Sequence, residues 1–415
     1  MKLALFSDTH LGYSFRGQRV EESYENGEQA FDLALKGGAE AILLAGDLFD
    51  ENTPDARVLA EGFRIFGKAY SAPKSGVKIS VRERDGSSTP TDFHGIPIVS
   101  IHGTHEYRSK DHTNILKVYE EAGYLIYLHA SVALIEKGNE KVAVHGLSGV
   151  PEKYALEALK RWNPKPVPGA VNLLLLHQSI NEFLPADDSM VSTISIENLP
   201  RDFDLVVNGH LHWHSVTPLG DQCTFLLTGS TIHTQMKNLE AKQEKGVHFY
   251  DTQTRKLEFV PLPRQRRLFY HKERFTAALP QQVAEKAEQF IQEDLAANGD
   301  GMPPMIRLKL TGSLAKGYSQ ADIPLNELEK KYEGQAVFSL DKDFVSIDFK
   351  KKIAELRELQ QSRRSLTQMG FDILEKNLAE TNFENAFDAR RVFDLLAEDK
   401  LEEALAVLMA GKSRS

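Results

Sequence analysis

Apolar residues fall along this chain in short compact runs separated by helical patterns. Residues 3–6, 41–44, 96–101, 171–176 and 205–207 are rich in Ile, Leu and Val without alternation, the signature of strands buried on both faces of a sheet. Between several of them the apolar positions take a helical spacing, as at 30–35 and 55–66, so right-handed crossovers would bring successive strand ends to one edge. The expected class is therefore α/β. Further on, the pattern predicts a helix over 279–295, a strand at 305–310, a helix near 324–332 and strands at 336–340 and 344–349. After Lys350-Lys351-Lys352 the stretch 353–367 is polar and charged, and 387–408 reads as two short amphipathic helices. Val392, Leu395 and Leu396 form one apolar stripe there, and Leu401, Leu405 and Leu408 the other.

The residues at the ends of the five runs change the picture. They are Asp8-Thr9-His10, Gly46-Asp47, Gly103-Thr104-His105-Glu106, His177-Gln178 and Gly209-His210-Leu211-His212. Two divalent ions roughly 3.5–4 Å apart can activate a water and hold both oxygens of an in-line phosphoryl displacement. Such a pair needs a bridging carboxylate, and Asp47 is the natural bridge. Asp8, His10 and one histidine of the last segment would complete one ion; His177, the other histidine and an oxygen donor at Thr104 would complete the second. Mixed oxygen and nitrogen donors suit manganese, iron or zinc better than calcium.

These segments resemble the calcineurin-like metallophosphoesterases. Asp8-Thr9-His10-Leu11-Gly12, Gly46-Asp47-Leu48-Phe49 and Gly209-His210-Leu211-His212 are closely similar to the SbcD type, the meiotic recombination eleven family of DNA-break repair nucleases. His145-Gly146-Leu147-Ser148-Gly149 and Leu227-Thr228-Gly229-Ser230 extend the resemblance, which covers about the first 265 residues. It implies a two-sheet sandwich flanked by helices (1–265), a small α+β domain capping duplex DNA (270–350) and a linker with partner-binding helices (351–415). It also implies that Asp8, His10, Asp47 and His212 hold one manganese and that Asp47, His177 and His210 hold the other. His105 would face the scissile phosphate, with Glu106 orienting its ring. The implied activity is 3'-5' exonuclease and endonuclease cleavage of DNA ends and hairpins in double-strand-break repair. The implied partners are an SbcC-type coiled-coil ATPase on the C-terminal helices and a second copy of the chain. That copy would meet helices near 56–69 and 114–122, which carry Leu59, Phe63, Phe66, Leu116, Val118 and Tyr119.

Two positions depart from the family. Thr104 stands where an asparagine is usual, leaving open direct ligation or ligation through water. Asp50 stands where a histidine commonly positions the phosphate, and an aspartate repels phosphate unless it captures a cation or turns away. These departures keep a DNA-binding scaffold with weakened catalysis in view, and the metal site alone would also suit a small-molecule phosphodiesterase.

Composition narrows the class further. A chain of 415 residues, 41% hydrophobic, has room for two or three domains. Its one cysteine, Cys223, excludes a disulfide framework or a cysteine metal knuckle. Met1 leads straight into the first strand, and no apolar run approaches the roughly 20 residues of a membrane span. An intracellular, cytoplasmic protein without a signal peptide is expected. The net charge of −9 argues against a uniformly basic nucleic-acid binder but leaves room for local patches. Lys74, Lys78, Arg82 and Arg84 lie in a 71–95 arm with an Asp85-Gly86 turn, and Arg264, Arg266 and Arg267 follow the catalytic segment. Both groups are candidate DNA contacts.

Overall fold

In the computed structural model, described for residues 1–108, 112–184, 194–299, 301–346, 370–375 and 388–411, two large sheets lie face to face. The first has six strands in the order Leu257–Pro261, Gly246–Asp251, Lys2–Phe6, Ala41–Ala45, Ile98–Ile101 and Ile126–Tyr127. The last four run parallel. The second has eight strands, with Thr224–Thr228, Leu205–Asn208, Val171–Leu176 and Glu140–Leu147 as a parallel centre. The compact apolar runs are the central strands of both sheets.

Burial explains why those runs do not alternate. Leu3 and Leu5 point into the layer between the sheets, with Leu43, Val99, Val144, Leu173, Leu175 and Val207. Ala4 and Phe6 point the other way, onto helices Val20–Lys36 and Ala56–Tyr70. The outer face of the second sheet, with Leu174, Leu176 and Val206, packs on helix Glu152–Trp162. Each central strand is thus apolar on both faces, and each sheet is flanked by helices.

The 71–95 arm forms a hairpin, Lys78–Arg82 against Ser88–Thr91, added to an edge of the second sheet. Its turn holds Gly86 at φ 84°, and Asp85 Oδ1 accepts from Ser87 N at 2.8 Å. Proline in the outer strand, at Pro90, is an edge-strand feature.

A third sheet has three strands, Leu268–Ala278, Met305–Leu314 and Val337–Ser346, with helices Pro280–Asn298 and Leu325–Lys331 between them in sequence. The two strands expected at 336–340 and 344–349 are here one, running through Asp341-Lys342-Asp343. An outer strand can carry polar residues on its open side. Residues 347–369, and with them the end of that expected strand, the 350–352 lysine run and the polar stretch 353–367, lie outside the described residues.

By internal contacts the chain divides into two compact units. One comprises Met1–His271, Phe290–Leu308 and Tyr332–Ser339; the other comprises Lys272–Gln289, Lys309–Lys331 and Leu340–Ser415. In the second, helices Ala389–Ala397 and Leu401–Gly411 pack on each other. Val392 and Ala404 are buried, while Leu396, Leu401, Leu405 and Met409 stay exposed. Among the described residues no helix is long and apolar enough to cross a membrane.

The residues expected at a contact between copies divide differently. Phe66, Leu116 and Tyr119 belong to this chain's own core, and Phe63 stacks on Tyr119 at 4.3 Å. Leu59 and Phe63 are half-buried, and Val118 is exposed.

Candidate metal centre

The strand ends of the first sheet are extended by a second, loop-to-loop ladder. Asp8 N donates to Gly46 O at 2.9 Å, His10 N to Asp47 O at 3.1 Å and Leu11 N to Leu48 O at 2.8 Å. This pairing fixes segment 8–11 beside segment 46–48. From the second sheet, buried Asn208 clamps the neighbouring ends: its Oδ1 accepts from Gln178 N at 3.1 Å and its Nδ2 donates to Gln178 O at 2.9 Å. His177 and Gly209 are thereby held side by side. A Cβ on Gly209 would meet Ala45 O at 2.3 Å, and one on Gly103 would meet Asp47 Oδ1 at 2.1 Å. The close approach of these loops needs glycine at both places.

Two donor groups gather the six expected ligands, Asp8, His10 and His212 in one and Asp47, His177 and His210 in the other, with the ligand atoms within each no more than 4.8 Å apart; His10, Asp50 and His105 form a third group within the same distance. Four of these six residues have left-handed backbone: Asp8 at φ 51°, His10 at 44°, Asp47 at 50° and His210 at 72°. Non-glycine residues seldom adopt that region, and it costs roughly 1–3 kcal/mol where it is imposed. The backbone is bent to aim the side chains.

The donor chemistry suits divalent cations. His10 Nε2 and His212 Nε2 face each other at 3.3 Å, with Asp8 Oδ1 at 3.9 and 3.7 Å from them. In the second group His177 Nε2 lies 3.0 Å from Asp47 Oδ2. The outer nitrogens are engaged elsewhere. His10 Nδ1 is 3.0 Å from Asp50 Oδ1, His177 Nδ1–H donates to Ala45 O at 2.6 Å and His212 Nδ1 is 2.5 Å from Thr234 Oγ1. His210 Nε2 stands 3.6 Å from Glu152 Oε1. Outer partners of this kind fix the tautomer and orientation of metal-binding imidazoles.

Electrostatics divide the four histidines: burial disfavours the His10 imidazolium, yet its hydrogen bond to Asp50 and the nearby Asp47 raise it. Burial, then the neighbouring His177, pushes His210 down to about 3, and burial with His10 holds His212 well below the usual imidazole range. Both are neutral, as ligands must be. Burial opposes ionisation of Asp47, yet the adjoining His177 keeps its carboxyl well below the ordinary value. His177 is raised in turn, because Asp47 outweighs the burial that disfavours the imidazolium. Burial raises Asp8.

The substrate side is arranged differently from expectation. Glu106 does not orient the His105 ring. Its buried carboxylate accepts from the backbone amides of Asp47, Leu48, Phe49 and Gly103, so it fastens the two loops that carry Asp47 and Thr104. The His105 ring instead meets Asp50, whose carbonyl oxygen lies 2.6 Å from Nδ1. That ring is partly exposed and stands 4.7 Å from the His10 ring, edge to face. Asp50 also faces His10, so its charge is turned onto two imidazoles rather than left open. Thr104 Oγ1 donates to Asp47 Oδ2 at 3.3 Å.

The candidate DNA contacts separate into two kinds. Lys74, Lys78, Arg82, Arg84 and Arg267 are exposed, as is Arg264, 3.8 Å from Glu25. Arg266 is turned inward, bound to Glu22 and to Pro303 O and only 13% exposed. Arg267 donates to Ala297 O at 2.6 Å and lies over the Phe269 ring.

A further set of supporting residues gives no signal in the sequence. Buried Lys245 donates to His212 O at 2.7 Å, Ser230 Oγ at 2.9 Å and Glu240 Oε1 at 3.0 Å. Glu240 Oε1 in turn is 3.7 Å from His212 Nδ1. Glu152 accepts from Ser179 Oγ at 2.7 Å and keeps Oε2 buried without a hydrogen-bond partner among the described residues.

The family model of the calcineurin-like phosphoesterases matches residues 1–214, half of the chain and all of the donor set. The chain belongs to the calcineurin-like phosphoesterases. Within that family it is similar to the double-strand break repair protein MRE11 of Encephalitozoon cuniculi, 28% identical over 259 residues, 57% of this chain and 43% of that protein. It is likewise similar to the DNA double-strand break repair protein Mre11 of Sulfurisphaera tokodaii, 28% identical over 253 residues, 58% and 56% of the two chains. The Mus musculus MRE11 is 25% identical over 311 residues, 65% of this chain and 42% of its own length. The matches thus span about half the length of these curated relatives. A phosphoesterase of this family with two donor groups at its strand ends is a metal-dependent hydrolase of phosphate esters.

Proposed function

We propose that this phosphoesterase is a manganese-dependent DNA nuclease, cleaving DNA ends and hairpins in double-strand-break repair. The observation that carries the reading is the pair of donor groups with a partly exposed His105 beside them, in a chain similar to break-repair proteins over its first domain. Asp8, His10 and His212 would hold one ion and His177 and His210 the other, with Asp47 between them. Two divalent ions there would supply an activated water and charge stabilisation for a phosphodiester. His105, with Nδ1–H committed to the Asp50 carbonyl, presents Nε2 to a phosphate oxygen or to the leaving group.

The rest of the chain fits the same reading. Residues 270–350 would cap duplex DNA, and the exposed Leu396, Leu401, Leu405 and Met409 of the last two helices would take an SbcC-type coiled-coil ATPase. Two copies would meet through the helices that carry Leu59, Phe63 and Val118, in an intracellular setting with access to DNA. One observation favours a second reading, a DNA-binding scaffold with weak catalysis: the Thr104 hydroxyl is committed to Asp47 rather than free to bind an ion.

The experiment is manganese-dependent cleavage of linear duplex, single-stranded DNA and a small chromogenic phosphodiester by wild type, His105→Ala and Thr104→Asn. The nuclease reading expects DNA cleavage by wild type and a loss of about 10²–10⁴-fold in His105→Ala. Cleavage appearing only in Thr104→Asn would replace it with the scaffold reading. Turnover of the small diester alone would point to a small-molecule phosphodiesterase.

A further inference from the structure

Two rings leave the Gly103–Glu106 turn in succession and meet different neighbours. His105 meets the His10 ring. Tyr107, two residues on, is 41% exposed, and its centroid lies 6.2 Å from that of His102. His102 is buried and pinned at both nitrogens, Nδ1 by Tyr127 Oη at 2.6 Å and Nε2 by Gly149 O at 3.0 Å. Tyr127 and His129 lie nearly parallel to it, at 5.8 Å and 23° and at 5.6 Å and 21°. The result is a cluster of four rings around the pinned His102, whose exposed members are His129 and Tyr107, the latter tilted 45° from His102.

The charge around this group is particular. Burial, then the nearby Arg84 guanidinium, holds His129 below the usual imidazole range. Arg84 is itself exposed, as are Lys78 and Arg82 on the same hairpin. Two exposed aromatic rings on one buried partner, with a cation near His129, match one ligand chemistry above others: a heteroaromatic base carrying a phosphate. Stacking of bases on aromatic side chains is tolerant of base identity, and a neighbouring cation tracks the backbone.

Position supplies the occupant. Two residues span at most about 7 Å of backbone, so a base on Tyr107 would belong to a nucleotide close to the phosphate that His105 faces. A base stacked there cannot also stay in a duplex, because stacking on a side chain needs an unstacked face.

We propose that Tyr107 and His129, backed by His102 and Tyr127, form a stacking platform for the unpaired nucleobase beside the scissile phosphodiester, with Arg84 taking the next phosphate. The platform selects strands whose terminal bases are already frayed or single-stranded. It rests on the nuclease reading, and its test separates the two.

The full chain is titrated with a single-stranded oligonucleotide carrying 2-aminopurine next to the cleavage position, and KM and kcat are measured for a base-bearing oligonucleotide and for the same strand abasic at that position. Wild type is expected to quench the 2-aminopurine and to show a KM about tenfold or more lower for the base-bearing strand. In Tyr107→Ala and His129→Ala the quenching and the preference are lost together; Tyr107→Phe keeps both, since the π face is retained. Cleavage by wild type with no preference between the two strands, or a preference undiminished in Tyr107→Ala, overturns the platform and leaves the nuclease. No binding or cleavage of either strand by wild type overturns both.

Discussion

Asp50 Oδ1 lies 3.0 Å from His10 Nδ1, on the opposite edge of the imidazole from the Nε2 that faces His212. One carboxylate therefore steers a candidate ligand, and its backbone carbonyl holds the ring of His105. Removing an outer partner of this kind typically costs 10–100-fold in metal affinity. Asp50→Ala should weaken manganese binding by about that factor, while Asp50→Asn, which can still accept from Nδ1–H, should lose less. Calorimetric titration of the metal into each variant decides it; equal affinities in all three would remove Asp50 from the centre.

His177 carries a further consequence. In the metal-free protein Asp47 raises its pKa, and a raised histidine holds its proton through neutral pH. A cation in the second donor group must displace that proton. Binding should therefore release protons, His177 and the likewise raised His10 both contributing, and apparent affinity should climb as pH rises from neutrality. Titrations at one pH in buffers of differing ionisation enthalpy count the protons; a count of zero contradicts the pairing.

Buried histidines away from the donor groups weaken the protein in acid, three of them strongly shifted. Burial pushes His102 and His248 down to about 3 and His145 to about 4, and both His248 nitrogens are buried without a hydrogen-bond partner among the described residues. Below about pH 6.5 the unfolded chain takes up protons there that the folded chain refuses. Stability should fall with acid from pH 6.5 toward 4, by about 1.4 kcal/mol per pH unit for each histidine. Melting temperatures of chelator-treated protein at pH 7.5, 6 and 5 should drop steadily, and the slope should be shallower in His248→Phe.

The buried Lys245–Glu240 pair beneath His212 separates stability from ligand placement. Lys245→Ala leaves Glu240 unpaired and should cost about 3–5 kcal/mol in denaturant unfolding. A Lys245→Met, Glu240→Leu double variant should recover most of that stability. It should still bind manganese more weakly than wild type, because the short Lys245 bond to the His212 carbonyl is lost and only the longer ones from Ser230 N and Oγ, at 3.4 and 3.5 Å, remain. Full recovery of both properties would make the pair purely structural.

The central strands and the six donors are legible in the sequence because one physical arrangement writes both. A strand buried on two faces is an unbroken apolar run, and in a parallel sheet it must stop where the loop carries chemistry. The outer partners are not legible in the same way. Asp50 reads as a charge facing phosphate, yet its oxygen lies on His10. Glu106 reads as a ring partner, yet four backbone amides converge on its carboxylate. Lys245 and Glu240 serve His212 from more than 25 residues away, with no motif around them. Arg266 shows the converse: its place in a basic run suggests an exposed contact, but its guanidinium is spent on Glu22 and Pro303.

Both donor groups draw from both sheets. Asp8 and His10 leave the first sheet and His212 the second, while Asp47 leaves the first and His177 and His210 the second. An ion in either group is consequently a rivet across the seam between the layers, and sliding one layer on the other by an ångström would be felt as a broken coordination shell. No fragment ending before His177 can assemble either group, so the centre belongs to the sandwich as a whole and to neither of its leaves.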